Sequence, residues 1–157
     1  MSRIVLGIDP GSRRAGFGVI KLDGKQTRYM ASGVINVGTG ALNDRLARLY
    51  TSMGELLEEY VPDEMAIEEV FVAKNPRSAL TLGQARGVIM ATALSRDIPI
   101  SEYAARRVKQ AVVGTGRANK EQVQHMVQVL LELSGRPQTD AADALAIALC
   151  HINTAHV

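Results

Sequence analysis

The stretch RIVLGIDPGSRRAGFGVIKLDGKQTRYMASGVINV, residues 3–37, decides the fold. Residues 3–9 alternate, with Ile4, Leu6 and Ile8 on one face and Val5, Gly7 and Asp9 on the other, which is the period of a strand that ends on a carboxylate. PGSRRAG then turns the chain, and FGVIKL, residues 17–22, reads as a second strand. Asp23-Gly24 is a strong hairpin signal, and residues 27–37 supply a third, antiparallel strand. A dinucleotide-binding domain would place G-x-G-x-x-G directly after its first strand and open a helix with it. Here Gly16 and Gly18 belong to a hairpin strand, which argues against a nucleotide cofactor.

Working outward, Leu42, Leu46, Leu49, Met53, Leu56 and Tyr60 make one apolar stripe, predicting a helix over 41–60. Pro62-Asp63 ends it, and MAIEEVF, residues 65–71, reads as a short strand. Asn75 then Pro76, a cap followed by a first-turn proline, opens a helix to about Arg96. Its narrow face of Ala79, Gly83, Gly87 and Met90 suggests that another backbone packs close there, because glycine costs a helix up to ~1 kcal/mol each. Ile98–Ser101 reads as a strand, and 104–113 as a helix. After the basic loop GTGRA, Asn119 and Gln122 form a capping box for a helix over 120–133. Gly135 and Pro137 break it, and 139–152 is the last helix.

The order β-β-β-α-β-α-β-α-α-α gives an α/β fold, a mixed five-stranded sheet flanked by helices. No linker, repeat or low-complexity segment divides residues 1–157, so one domain is expected. The single Cys150, in an apolar run, reads as a buried small hydrophobe and makes no internal bridge. No stretch approaches the ~18 apolar residues of a membrane span, so a cytoplasmic protein is expected.

Net charge is only +2, but its distribution is uneven. Residues 55–69 carry seven acids and no Lys or Arg. Residues 101–120 carry Arg106, Arg107, Lys109, Arg117 and Lys120 against Glu102 alone. Such a stretch can meet a polyanion even in a nearly neutral chain.

Four acids stand where the apolar pattern would exclude them without a purpose. Asp9 ends the first strand, and Glu68 shares a strand face with Ala66. Asp140 and Asp143 lie at i,i+3, roughly 5–6 Å apart, and Asp143 sits within AADALAIALC, where a bare carboxylate would be costly unless paired or metal-bound. Clustered carboxylates raise one another's pKa, whereas divalent cations neutralise them. Oxygen-only donors suit magnesium or manganese better than zinc, and a pair of such ions serves phosphodiester hydrolysis. His125, His151 and His156 form no nucleophile arrangement and read as structural or solvent-exposed.

LGIDPGSRRAGFGVI (6–20), AIEEVFVAKNPRSALTLGQARG (66–87), EYAARRVKQAVVGTGRANKEQVQHMV (102–127) and DAADALAIALCH (140–151) resemble the bacterial RuvC crossover junction endodeoxyribonucleases, in the right order over nearly the whole chain. The resemblance implies a ribonuclease H-like fold and a homodimer. It implies resolution of four-way DNA (Holliday) junctions in recombination and repair, by paired symmetric nicks leaving 5′-phosphate ends. It further implies Mg2+, two ions per subunit, with Mn2+ as a possible substitute, and coupling to the RuvA and RuvB branch-migration proteins. By motif, Asp9, Glu68, Asp140 and Asp143 match the family's metal-binding catalytic acids, although some relatives place histidine where Asp140 stands. Lys109 and Lys120 match lysines implicated in DNA handling and cleavage. Phe71 matches an aromatic near the junction centre; from the residues alone it is either core or a platform for an unpaired base. Lys74 and Arg77 in the neighbouring loop, with Arg106 and Arg117 in the basic stretch, complete the expected DNA contacts.

Two rivals share features of this pattern. A ribosomal-RNA-trimming nuclease would share the strand-end aspartate but not the segments at 70–87 and 102–114. An actin-like ATPase needs two such halves, more than 157 residues provide. A catalytically dead junction-binding module would not need all four acids.

Overall fold

β1 (Ser2–Asp9), β2 (Arg14–Asp23) and β3 (Gln26–Asn36) form the antiparallel part of a five-stranded sheet in the computed structural model, which describes residues 1–69 and 75–154. β4 (Glu64–Glu68) pairs parallel with β1, and β5 (Ile100–Tyr103) pairs parallel with β4, giving the order β3-β2-β1-β4-β5. Five helices complete the described fold: α1 (Leu42–Tyr60), α2 (Pro76–Leu94), α3 (Ala105–Val113), α4 (Lys120–Leu130) and α5 (Thr139–Thr154). This is the expected α/β arrangement, with helices on both faces of the sheet.

Strand alternation divides the core in two. Leu6, Ile8, Val19, Met65 and Ile67 pack against Leu49 and Met53 of α1 and Ile89 of α2. Val5, Ile20 and Ala66 face the other way, onto α5 and the side chains of α3 and α4. α5 is buried on nearly every side from Ala141 to Ile152, as expected for a helix apolar all round. Cys150 is buried within it.

Glycine lets α5 lie this close. A Cβ on Gly7 would stand 2.1 Å from the Ala144 carbonyl oxygen, and one on Gly16 would stand 2.0 Å from that of Asp140. Both backbones therefore touch the helix where any side chain would push it away.

Side-chain caps read from the sequence place two of the five described helix starts, those of α2 and α4. Asn75 accepts from the Arg77 N–H at 3.0 Å, and Asn119 and Gln122 exchange reciprocal 2.8 Å bonds. Several boundaries move. β2 starts at Arg14 rather than residue 17, β4 spans 64–68, and α2 ends at Leu94. β5 covers 100–103 instead of 98–101, because Ile98 closes the end of α2, its N–H bonding to the Ala93 carbonyl. α4 stops at Leu130, with Leu131 capping it and Glu132 at φ 52°. α5 runs on to Thr154.

The close backbone contact expected at Gly83 and Gly87 is not made: both glycines are exposed, and nothing described lies within 4 Å of a Cβ built on either. Their face of α2 points away from the sheet. His151 is structural, as expected, and lies wholly inside. Its Nδ1 is 2.6 Å from the Tyr103 hydroxyl and its Nε2 3.3 Å from Glu64, which also meets Arg3 at 2.9 Å. A neutral ring protonated on Nε2 satisfies both contacts. No helix among the described residues is long and apolar enough to cross a membrane.

Candidate active site

Three elements bring the acids together. Asp9 is the last residue of β1, Glu68 the last of the adjacent parallel β4, and Asp140 and Asp143 lie in the first two turns of α5. The parallel pairing puts the C-terminal ends of β1 and β4 side by side, and the Gly16 contact holds the start of α5 against that end of the sheet. Carboxylate oxygens of Asp9, Asp140 and Asp143 lie within 4.8 Å of one another. Glu68 stands outside that tight triad but faces the same cavity of about 320 Å³, with Asp9, Asp143, Lys109 and Lys120.

The cluster is short of positive charge. Burial pushes Asp9 up to about 7, and the carboxylates of Asp143, Glu68 and Asp140 push in the same direction, against Lys120. Burial is also the main cause holding Glu68 above the usual carboxylate range, with Asp143 adding to it and Lys109 opposing. Asp143 is raised chiefly by burial; Lys120 and Lys109 oppose the shift and Asp140 adds to it. Two lysines thus fall short of neutralising four acids, which is the condition a hard divalent cation relieves.

The other expected contacts divide clearly. Lys109 on α3 and Lys120 at the start of α4 line the cavity. Arg106 and Arg117 are exposed and are not among the cavity residues, Arg106 lying against Gly116 in the 114–118 loop. Arg77 is exposed at the start of α2 and is not among the cavity residues. Phe71 and Lys74 lie outside the described residues.

Two residues at the site escaped sequence reasoning. Gln138 Nε2 donates to Asp140 Oδ2 at 3.1 Å, while its Oε1 accepts from the Ala141 N–H at 3.0 Å, so it both caps α5 and orients the carboxylate. Arg14 Nε lies 3.9 Å from the same Oδ2. Gln138 carries no compositional signal. Arg14 could have been found by extending the β2 alternation back through Gly16, opposite Asp9.

Residues 5–151 match the family model described as crossover junction endodeoxyribonuclease RuvC. The chain belongs to the RuvC family. Curated relatives named crossover junction endodeoxyribonuclease RuvC include one from Marinobacter nauticus, 57% identical over 94% of this chain and 85% of its own length. Another, from Vibrio vulnificus, is 54% identical over 96% of this chain and 87% of its own length. Among solved structures, Thermus thermophilus RuvC in complex with a Holliday junction substrate superposes with a TM-score of 0.91, at 34% identity over 98% of this chain and 94% of that one. The yeast mitochondrial Holliday junction resolvase Ydc2 shares the fold, at a TM-score of 0.65 and 12% identity over 93% and 77% of the two chains. The architecture is thus ribonuclease H-like, and the chain has the fold and acidic cluster of a metal-dependent nuclease.

Proposed function

We propose that this chain is a Holliday junction resolvase, a nuclease that cuts two opposed strands of a four-way DNA junction by hydrolysis, leaving 5′-phosphate and 3′-hydroxyl ends. One observation carries the reading: in a RuvC-family chain, the acids on β1, β4 and α5 and the lysines on α3 and α4 converge on one cavity.

Asp9, Asp140 and Asp143, with Glu68 across the cavity, are the groups that would hold Mg2+, two ions per subunit, with Mn2+ able to substitute. Bound there, the ions supply Lewis acidity and a water of lowered pKa. The chain's own residues do the rest. Lys109 and Lys120 attract and position backbone phosphates, and their charge disperses the negative charge that builds up at the scissile group. The acids are half-buried, as is Lys109, so their charges are less screened there than at the open surface, whereas Lys120 is exposed. The exposed Arg106 and Arg117 add basic surface, with Phe71, Lys74 and Arg77 as further strand contacts.

Resolution needs two matched cuts, and one acid cluster per chain serves one strand. A symmetric homodimer of one-domain subunits matches the approximate two-fold symmetry of the junction. The exposed stripe of Leu80, Gly83, Gly87, Ala91 and Leu94 on α2 offers it a surface where two helices could approach closely. In a bacterial cytoplasm the enzyme would act after RuvA and RuvB have moved the branch point.

A covalently closed cruciform plasmid tests both parts. With Mg2+ the protein should linearise it, and without the metal it should leave it closed. Mixing with Asp143→Asn chains should yield an excess of singly nicked circles. No cleavage of the cruciform under any divalent metal would overturn the nuclease reading; cleavage with no nicked-circle excess would overturn the dimer.

A further inference from the structure

Lys109 and Lys120 face the acids from α3 and α4, one side of the cavity. Where β2 begins, outside the residues that line the cavity, Arg14 brings a third cation to the cluster, with its Nε 3.9 Å from Asp140 Oδ2. The strand dictates this placement. Side chains on β2 alternate, so Arg14 shares the α5 face with Gly16 and Gly18. A Cβ on Gly16 would fall within 2.0 Å of the Asp140 carbonyl oxygen, so that part of β2 has room for no side chain. Arg14 is the neighbour on that face that carries one, and it reaches over the first turn of α5.

Asp140 does not depend on Arg14 for its orientation, since Gln138 already donates to the same oxygen at 3.1 Å. The arginine contact is a loose ion pair beyond hydrogen-bond length, and the side chain is 60% exposed. A guanidinium so placed can change partner. Over bare carboxylates it rests on Asp140; once a cation takes up that charge, the strongest anion within its reach is a DNA phosphate. Its planar fork fits two non-bridging phosphate oxygens, which the ammonium of a lysine cannot match.

We propose that Arg14 is a phosphate contact of the cleavage site, gripping the DNA backbone from the start of β2 beside Asp140 while Lys109 and Lys120 hold it from within the cavity. The proposal rests on the junction-cleavage reading above. It makes Arg14 both a competitor of the metal at Asp140 and a partner of the substrate, so its removal should move two affinities in opposite directions.

The test compares wild type, Arg14→Gln, Arg14→Lys and, as a charge control, Lys25→Gln in the distant β2–β3 turn. Junction binding is measured in Ca2+ over a range of salt, and Mg2+ binding by calorimetry without DNA. Arg14→Gln should weaken junction binding about tenfold, the size of one charge-assisted contact, and flatten the salt dependence by about one phosphate contact. The same variant should bind Mg2+ at least as tightly as wild type. Arg14→Lys should restore the salt dependence but only part of the affinity, and Lys25→Gln should leave Mg2+ affinity alone and cost less junction affinity than Arg14→Gln. Wild-type junction affinity and salt dependence in Arg14→Gln would overturn the proposal. So would joint weakening of metal and junction binding, which would make Arg14 a prop for Asp140. A wild-type protein that cuts no junction points instead to failure of the functional reading, and the calorimetry needs no DNA.

Discussion

On the face of the sheet covered by α5, Gly7 and Gly16 surrender their side chains so that a helix can lie against bare backbone. On the other face, α1 and α2 are held off by Leu6, Ile8, Met65 and Ile67, and the exposed glycines of α2 meet nothing among the described residues. The same residue type therefore does opposite jobs. Under α5 it fixes a helix at a separation no side chain could bridge, and that helix carries Asp140 and Asp143 to the strand-end acids. On α2 the glycines are exposed and meet nothing among the described residues. The α5 face is built for position and the α1–α2 face for ordinary burial. Substitutions that respect or violate that division should separate the two.

The largest effect belongs to the α5 side. Asp143→Asn keeps the shape of the side chain and removes the charge that a metal ion would need. The loss of several kcal/mol of transition-state stabilisation amounts to about a thousandfold or more in rate. Junction binding, carried mainly by basic residues, should change far less. Single-turnover cleavage beside a binding titration checks both, and wild-type cleavage by the variant would remove Asp143 from the site.

Protonation of the same cluster should be visible in stability. Asp9 is raised from 3.8 to about 7 in the folded chain. Between those values the folded chain holds more protons than the unfolded one, so the metal-free protein gains stability below about pH 4 and loses it as pH rises toward 7. Glu68 and Asp143 are raised too and act in the same sense. The effect is of the order of a few kcal/mol. Thermal unfolding of metal-free protein should show wild type losing more stability from pH 5 to pH 8 than Asp9→Asn does. Mg2+ should raise the wild-type Tm more at pH 8 than at pH 5, since protons and metal compete for the same oxygens. Equal pH slopes for the two proteins would show that Asp9 titrates as an exposed carboxylate.

Gly16→Ala attacks the close packing itself. Its Cβ would meet Asp140 main-chain oxygen, an atom that cannot rotate away, so β2 and the first turn of α5 must separate. Overpacking of this kind costs about 1–3 kcal/mol, and it should also loosen metal binding, because Asp140 moves with its backbone. Denaturant unfolding and Mg2+ titration of the variant measure the two losses separately.

Much of this was legible in residues 3–37 and in the helix caps, where alternation, turn chemistry and capping boxes each have a local cause. The acids were legible because a charge in an apolar strand or helix needs a reason, as Asp143 does among the alanines of α5. What failed lay beyond the reach of the apolar pattern. Ile98 is apolar whether it continues a strand or closes α2, and only the hydrogen bond to Ala93 decides. Leu131 and Leu133 keep the apolar pattern going past the end of α4 because they still pack against the core. Arg14 meets Asp140 through the juxtaposition of β2 with α5, legible only once the β2 alternation is carried back through Gly16, while Gln138, two residues before Asp140, carries no compositional signal. The Gly83 and Gly87 face meets nothing among the described residues, so the close approach its spacing suggested is not made there.

That last difference yields the smallest and most pointed expectation. Gly83→Ala on α2 is the same chemical change as Gly16→Ala, yet it should have the opposite sign. Residue 83 is in a regular helix, exposed, and a Cβ there meets nothing within 4 Å among the described residues. Alanine then only reduces the freedom of the unfolded chain and improves helix propensity, worth up to about 1 kcal/mol in favour of the fold. If α2 is where two subunits meet, the added methyl should at the same time weaken the dimer, by an amount sedimentation can read as a shift toward monomer. Because a dimer contributes to apparent stability through concentration, unfolding has to be followed at a protein concentration where the wild type is already monomeric. A gain there with a weaker dimer would place the missing partner of the glycine face in the second subunit. A loss of monomer stability would instead mean that residue 83 is packed within its own chain, and the contrast between the two faces would collapse.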